Sequence, residues 1–458
     1  MPVAAALKND TVLVSHAGVP LTRATSFRFT LDVNAAEHQR LLAHAGAFRL
    51  AYNHHIARVR ANLGQRAAER SYGLAETDLT PALSWSKVSF VNEINAWKDG
   101  RAPDAPVSVD DDGDQIRGLS WRHEVSADVF ETASVNAAQA LSNWAASRKG
   151  ARDGASVGFP RFKSKHRTTP TFRLRAKYSE GSPAPLRPVG PKALRFPRLG
   201  RLRVRETTRQ LRRMLKGGRF HVYAACFRYE RGRWIVSVTG VAAQLHHARR
   251  GGDRCSPRVG VDLGVKTLAV AADADGNLRH RWEGVKALTH AQERLKLANR
   301  AFARTKQGSN GRKKAAQRLG KIHGRVAAVR AALLHEITVT LARNYASIVI
   351  EDLNVAGMVQ NRKLARHIAD ASFGELRRQL EYKTAWHGTQ LVIADRWYPS
   401  SKTCSGCGSV NAELALADRT YRCDACGLAI DRDLNAAINL ARYTPAEPID
   451  APPLRAAA

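Results

Sequence analysis

The stretch RVGVDLGVKTLAVAADADGN, Arg258 to Asn277, decides how the chain is read. Val259, Val261 and Leu263 make an apolar run, a turn follows, and a second apolar run ends at Asp275-Gly276, which predicts two buried neighbouring strands. Asp262 stands inside the first of them. An unpaired carboxylate there is costly, so something positive must face it. Working outward, SIVIEDLN (347 to 354) is another apolar strand, and Glu351 ends its run in the same way. A helix is expected from Phe373 to His387, and QLVIADRW (390 to 397) is a third strand. Strands alternating with helices in this manner predict an α/β layer.

Further along, DRDLNAAINL (431 to 440) opens an amphipathic helix with Asp431 and Asp433. Any one of these acids could be a cap or half of an ion pair. Together, on two strands and a helix of one layer, they match the way RNase H-like folds gather carboxylates around two magnesium ions roughly 4 Å apart. Leu434, Ala437, Ile438 and Ala441 form the buried stripe of the helix. Asp433 lies directly beside that stripe, whereas Asp431 sits where a carboxylate commonly caps the first turn.

Just ahead of this helix, Cys404-x-x-Cys407 and Cys423-x-x-Cys426 are separated by the fifteen residues 408 to 422. That is the spacing of a four-thiolate zinc ribbon. Gly406, Gly408 and Gly427 allow the tight turns by which the sulfurs converge. With four sulfurs the ion is closed to substrate, so the zinc is expected to be structural. A zinc deaminase is a poor reading, since it needs a His-x-Glu partner that the sequence does not offer. Cys226 and Cys255 stand apart and are expected to be free core thiols.

The chain has 458 residues, room for about three domains, and 44% hydrophobic residues, enough for ordinary cores. Its 73 Lys and Arg against 40 Asp and Glu give a formal charge of +33, which points to a polyanionic partner, nucleic acid first. No spanning apolar run or signal peptide is read from the sequence, so a membrane partner is not expected and a cytoplasmic, nucleoid-associated protein of a prokaryote is.

In the amino-terminal half, residues 26 to 31 read as a strand and a helix begins near Glu37, with Leu41, Ala45, Phe48, Tyr52, Ile56 and Val59 on one stripe. His54 and His55 on this helix read as packing or surface residues. The segment DDDGD, 110 to 114, has the look of a calcium loop, but Leu119 stands where the coordinating glutamate is required, so it reads as a solvated linker. A second helix is expected around Val135 to Ser147, closing the first subdomain near residue 150. In VGFPRFKSKHRTTPTFRLR, Val157 to Arg175, the rings Phe159, Phe162 and Phe172 alternate with cations that include Arg161, Lys163, Lys165 and Arg167. Such rings can stack on bases while the cations hold phosphates; alternatively the segment covers a core. A hairpin is clear at FHVYAACFRYERGRWIVSVTG, turning at Glu230-Arg231-Gly232. Two basic helical runs, about 290 to 305 and 311 to 345, are broken by TKQGSNGR. Lys313, Lys314, Arg318, Lys321, Arg325 and Arg330 recur along the second and are read as phosphate contacts.

The motifs GVDLGVKTLAV, VIEDLNVAGM, ADASFGELRRQLEYKTAWHG, WYPSSKTCSGCG and DRDLNAAINL resemble the RuvC-type nuclease half of the TnpB family, transposon-encoded RNA-guided DNA endonucleases related to compact type V CRISPR effectors. FRLAYNHHI and VGFPRFKSK resemble that family too. The resemblance spans roughly residues 25 to 440 and is weakest around 62 to 125. It implies an α+β multidomain chain: a wedge β-barrel with an inserted helical recognition lobe, then an RNase H-like (RuvC) α/β nuclease domain with an inserted zinc ribbon. The expected boundaries are 1–32 and 156–255 for the wedge, 33–155 for the lobe, 256–398 and 431–444 for the nuclease, 399–430 for the ribbon and 445–458 for a frayed tail. By the same resemblance Asp262, Glu351 and Asp433 are the catalytic acids and magnesium ligands, and Asn354 to Ser372 a lid. Cys404, Cys407, Cys423 and Cys426 are the zinc ligands, and the partners are a guide RNA and target DNA on a monomeric protein. Two other readings fit the charge: an RNA-guided DNA binder without cleavage, and a guide-free transposase or resolvase.

Overall fold

Eleven residues, Thr22–Asp32, form strand β1 and lead directly into a long helix, α1 (Ala35–Ser71). The helix starts where Asn34 and Glu37 cap each other reciprocally: the Glu37 amide donates to Asn34 Oδ1 at 2.8 Å and the Asn34 amide to Glu37 Oε2 at 2.9 Å. All six residues of the predicted stripe, Leu41 to Val59, are buried. These coordinates are a computed structural model that describes residues 22–110, 112–152, 154–178, 184–243, 256–415 and 418–445. Cys255 and the tail beyond Pro445 lie outside them. The chain divides into two compact units at the 244/245 boundary.

In the first unit, α2 (Lys87–Lys98) follows α1. The sequence reading passed over it because only Phe90 and Ile94 mark its buried apolar side; its cap is Ser86, whose hydroxyl accepts from the Ser89 amide. Strands β2 (Val107–Val109) and β3 (Gln115–Arg117) form a small hairpin. Residues 110 and 112 to 114 therefore belong to its turn and not to a linker, with Asp110 Oδ1 accepting from the Asp114 amide at 2.8 Å. Helix α3 (Ala127–Arg148) begins eight residues before the predicted start. His55 is a packing residue as expected: it is buried, with Nε2 2.8 Å from Ser134 Oγ and Nδ1 2.9 Å from Glu93.

The remaining elements of this unit are β4 (Thr171–Arg175), β5 (Arg187–Gly190), β6 (Ala193–Phe196), β7 (Gly200–Val204), α4 (Arg209–Lys216), β8 (Phe220–Glu230) and β9 (Arg233–Ala243). Strands β8 and β9 make the predicted hairpin, and its two turn residues, Arg231 and Gly232, both have positive φ, as a type I′ turn requires. Cys226 on β8 is a free, half-buried thiol, and burial pushes its pKa up.

The expected barrel is not closed. The described strands make one open antiparallel sheet in the order β4-β8-β9-β1-β7-β6-β5. Its ends are occupied in ways that stop them pairing. On the free edge of β4, the Arg173 carbonyl accepts from Thr132 Oγ1 at 3.0 Å and the Arg175 amide donates to Asp128, both residues of α3. At the other end β5 is four residues long and carries Pro188, which has no amide to give.

The second unit opens with β10 (Ser256–Asp262), β11 (Thr267–Ala272) and β12 (Leu278–Glu283), followed by the basic helices α5 (Ala287–Ala303) and α6 (Asn310–Asn344). Strand β13 (Tyr345–Glu351) is followed by α7 (Val355–Gln360), α8 (Ala365–Ala371) and α9 (Phe373–His387), then by β14 (Gln390–Ala394). A small pair, β15 (Thr420–Arg422) and β16 (Ala429–Asp431), precedes α10 (Arg432–Arg442). The five-stranded sheet runs β12-β11-β10-β13-β14, with the first three strands antiparallel and β10, β13 and β14 parallel.

Alternation along the strands separates two cores. Val259, Val261, Ile348 and Ile350 face Leu334, Ile337 and Leu341 of α6 and Leu376 and Leu380 of α9. On the opposite face Val270 and Ala272 meet Ala437 and Ile438, and Val349 and Ala394 meet Leu440, all from α10. Gly260 lets that helix lie against the sheet, because a Cβ there would come within 2.1 Å of the Ala437 carbonyl oxygen. No helix among the described residues is long and apolar enough to cross a membrane.

Candidate active site

The period of two that buries the strands also decides where their acids go. Asp262 follows Val261 at the end of β10, and Glu351 follows Ile350 at the end of β13; Val261 and Ile350 are register partners. Asp262 therefore shares a face with Gly260, and Glu351 with Val349, on the side covered by α10. Asp433 lies in the first turn of α10. Asp262 keeps some accessible surface, yet protein surrounds it closely. Desolvation, then the charges of Glu351 and Asp433, drive its carboxyl pKa well above the ordinary range. Desolvation also raises Glu351, opposed by a hydrogen bond from Ser400 Oγ and by the charge of Arg432. Arg432 Nη2 is 3.8 Å from Asp433 Oδ1.

Asp431 has a different task. Its Oδ1 accepts from the Leu434 amide at 3.0 Å, capping α10, and its other oxygen is 3.3 Å from Arg281 Nη2 on β12.

The four ribbon cysteines converge. Their sulfurs all lie within 4.8 Å of one another, with Cys404 to Cys426 and Cys407 to Cys423 at 3.6 Å. A tetrahedral zinc with bonds of about 2.3 Å sets its sulfurs about 3.8 Å apart, so the cluster fits that ion. Gly406 donates its amide to Cys404 Sγ at 3.3 Å, and a Cβ on it would press on Leu428. The crowded thiols split: Cys404, desolvated but held by the Cys407 and Gly406 amides, falls to about 7, while Cys426, though the Leu428 amide opposes it, is pushed up by the three other sulfurs to about 12. Among the described residues no other group of three or more His, Cys, Asp or Glu converges in this way.

Three residues that the sequence reading missed join ribbon and acids. Asn435 Oδ1 accepts from the Ser405 amide at 2.9 Å, and its Nδ2 donates to the Thr403 carbonyl at 2.7 Å. One turn on, Asn439 Nδ2 donates to the carbonyls of Ser400 and Thr403 at 2.8 and 2.6 Å. Ser400 then donates its hydroxyl to Glu351. The signal was present in NAAIN: two amides four apart on the buried side of an apolar helix need partners of their own.

The basic segments divide by surroundings. Arg161, Phe162, Lys165 and Arg167 are exposed, as are Lys313, Lys314 and Arg318 on α6. Lys163 is instead half-buried, its Nζ 4.4 Å from the Tyr52 ring centre and its backbone paired with the Asn53 side chain. Of the three rings, Phe172 is in the core, stacked on Phe227 at 4.5 Å, and Phe159 packs edge-on against Trp144; Phe162 is the exposed one. Arg330 is committed to Asp370, with Nε 2.7 Å from its carboxylate.

A family model described as "Probable transposase" matches residues 255–362, and one described as "Cas12f1-like, TNB domain" matches residues 373–440. A Mycobacterium tuberculosis protein named "Putative RNA-guided DNA endonuclease" is 34% identical over 426 residues, covering 91% of this chain and 86% of that protein. InsQ of Escherichia coli K12, which bears the same description, is 29% identical over 263 residues, covering 54% of this chain and 60% of its own. Cas12f1 of Sulfoacidibacillus thermotolerans, a "CRISPR-associated endodeoxyribonuclease", is 23% identical over 193 residues, 40% of this chain and 44% of that protein. A solved CRISPR-Cas12f ternary complex aligns over 89% of this chain and 81% of its own at 14% identity, with a TM-score of 0.33.

Proposed function

Because the chain belongs to the TnpB family of RNA-guided DNA endonucleases, we propose that it cuts DNA at a site selected by a bound guide RNA. The observation that carries the cleavage chemistry is a set of three acids, two on one sheet face and the third on the helix that covers it, with the two strand acids raised in pKa first by desolvation. The strand order supports an RNase H-like, RuvC-type domain: a first strand flanked by two antiparallel strands on one side and two parallel strands on the other.

Asp262, Glu351 and Asp433 hold the catalytic metal. A cluster that resists carrying its full negative charge, with Arg432 as the opposing cation, fits divalent cations. When bound, magnesium would activate the attacking water and neutralise the leaving oxygen. The protein's own part is positional: Ser400 fixes the Glu351 carboxylate and the sheet register sets it beside Asp262. The four cysteines hold a structural zinc, and Lys313, Lys314, Arg318 and the exposed cations of the 161–167 segment contact phosphates.

The partners under this reading are one transposon-derived RNA on a protein monomer, and a DNA target carrying a short adjacent motif. Sequencing the RNA that copurifies with the protein separates it from a guide-free transposase: one discrete species is expected, and random fragments would contradict it. Asp262→Ala and Glu351→Ala are each expected to abolish cleavage in magnesium while RNA binding persists. Wild-type cutting by either variant would refute the assignment.

A further inference from the structure

Trp397 is an expensive side chain to leave in water, and its ring is 84% exposed. The chain that carries it is nevertheless tied down at every step. Ala394, at the end of β14, is the register partner of Glu351. The Asp395 amide donates to the Tyr443 hydroxyl at 3.1 Å, and Asp395 Oδ1 accepts from the Trp397 amide at 2.8 Å. Arg396 Nε is 3.0 Å from Asp352, the residue after Glu351. Tyr398 packs edge-on against Tyr443 at 4.8 Å and donates its hydroxyl to the Asn439 carbonyl at 3.1 Å. Ser400 closes the loop on Glu351.

The loop thus leaves the sheet beside Glu351 and returns to Glu351, and Trp397 is three residues from the return. Three residues span at most about 10 Å of chain, which keeps the Trp397 backbone close to the Ser400–Glu351 contact. Its neighbours Asp395, Arg396 and Pro399 are exposed, and two of them are charged, so the ring is an isolated aromatic plane and not part of an apolar patch of the kind that docks a protein. A nucleobase suits such a plane, since every base offers a π face and stacking is indifferent to sequence.

Resting on the nuclease reading above, we propose that Trp397 is a stacking platform for one base of the DNA strand held at the acids, within about three nucleotides of the bond that is cut. Stacking there would fix the strand's path across the site and leave target choice to other parts of the protein. The ring positions the strand and takes no part in the chemistry.

The test uses the full protein with its RNA and a target strand carrying 2-aminopurine at successive positions around the cut. At one or two positions within about three nucleotides of the cut, fluorescence should be quenched in wild type, recovered in Trp397→Ala and largely quenched again in Trp397→Phe. Single-turnover cleavage should slow roughly 5- to 100-fold in Trp397→Ala and by much less in Trp397→Phe. Unchanged fluorescence and rate in Trp397→Ala, alongside a dead Asp262→Ala, would overturn this proposal and leave the nuclease site standing. An active Asp262→Ala would overturn both. Equal losses in the Ala and Phe variants accompanied by lowered thermal stability would show that the ring is structural, again overturning it.

Discussion

Two aspartates two positions apart open α10, and their surroundings give them unlike roles. Asp431 caps the helix through the Leu434 amide, a bond whose loss costs about 1 kcal/mol, while Asp433 is the one of the two whose charge acts more strongly on Asp262. Asp431→Ala should therefore lower thermal stability by about that amount and retain cleavage. Asp433→Asn should eliminate cleavage with folding and RNA binding preserved. Thermal melts and cleavage assays on the two variants decide the matter, and the opposite pattern would move the metal ligand to Asp431. This distinction was legible in the sequence because Leu434, Ala437, Ile438 and Ala441 mark the buried stripe, and Asp433 is the acid next to it. Ser400 was not legible. It reaches Glu351 across 49 residues of chain, and no local pattern announces a contact that the sheet and ribbon bring about together. Trp397 is a similar case, since sequence gives an aromatic residue but not its exposure.

At the scale of elements, apolar periodicity was enough to find α1, the β8–β9 hairpin and the strands β10, β11, β13 and β14, because each buries a regular face. Closure of the first sheet was beyond its reach: the outcome turns on Asp128 and Thr132 of α3 taking the outer edge of β4. The ribbon shows the same division. Spacing predicts a four-sulfur cluster, whereas its attachment to α10 depends on Asn435 and Asn439 finding the carbonyls of Ser400 and Thr403. From this attachment one zinc per chain is expected, along with a dependence of cleavage on it. A zinc-selective chelator in excess magnesium should release the ion and the cutting activity together, because the segment that orients Glu351 loses its anchor. Asn439→Ala leaves the Ser400 carbonyl without its donor while Thr403 keeps Asn435, a cost of about 1–3 kcal/mol, and should slow cleavage with zinc content unchanged. Elemental analysis paired with cleavage rates checks both, and full activity in zinc-free protein would sink the coupling.

For the whole molecule the governing quantity is the charge of +33, carried by 73 cations against 40 acids. Many of the cations are spoken for within the protein. Arg330 is bound to Asp370, Arg377 and Arg396 to Asp352, and Arg175 to Asp128 and Glu131. What remains available to phosphates is the exposed set, and on α6 that set includes Lys313, Lys314 and Arg318 in little more than one turn and a half of helix. Each cation that neutralises a phosphate releases counterions, so affinity for nucleic acid should fall steeply as salt rises. In a plot of log affinity against log salt concentration, each lost phosphate contact reduces the slope by about 1. Changing Lys313, Lys314 and Arg318 together to alanine should therefore flatten the slope by about 2 to 3, with weaker binding at low salt and little change in which sequence is cut. These side chains are exposed and far along the chain from the acids, so melting temperature and zinc content should stay at wild-type values. A slope equal to that of the parent protein would mean that this stretch of α6 meets solvent and not the phosphate backbone, and the steep salt dependence would then have to come from other exposed cations, Arg161, Lys165 and Arg167 among them.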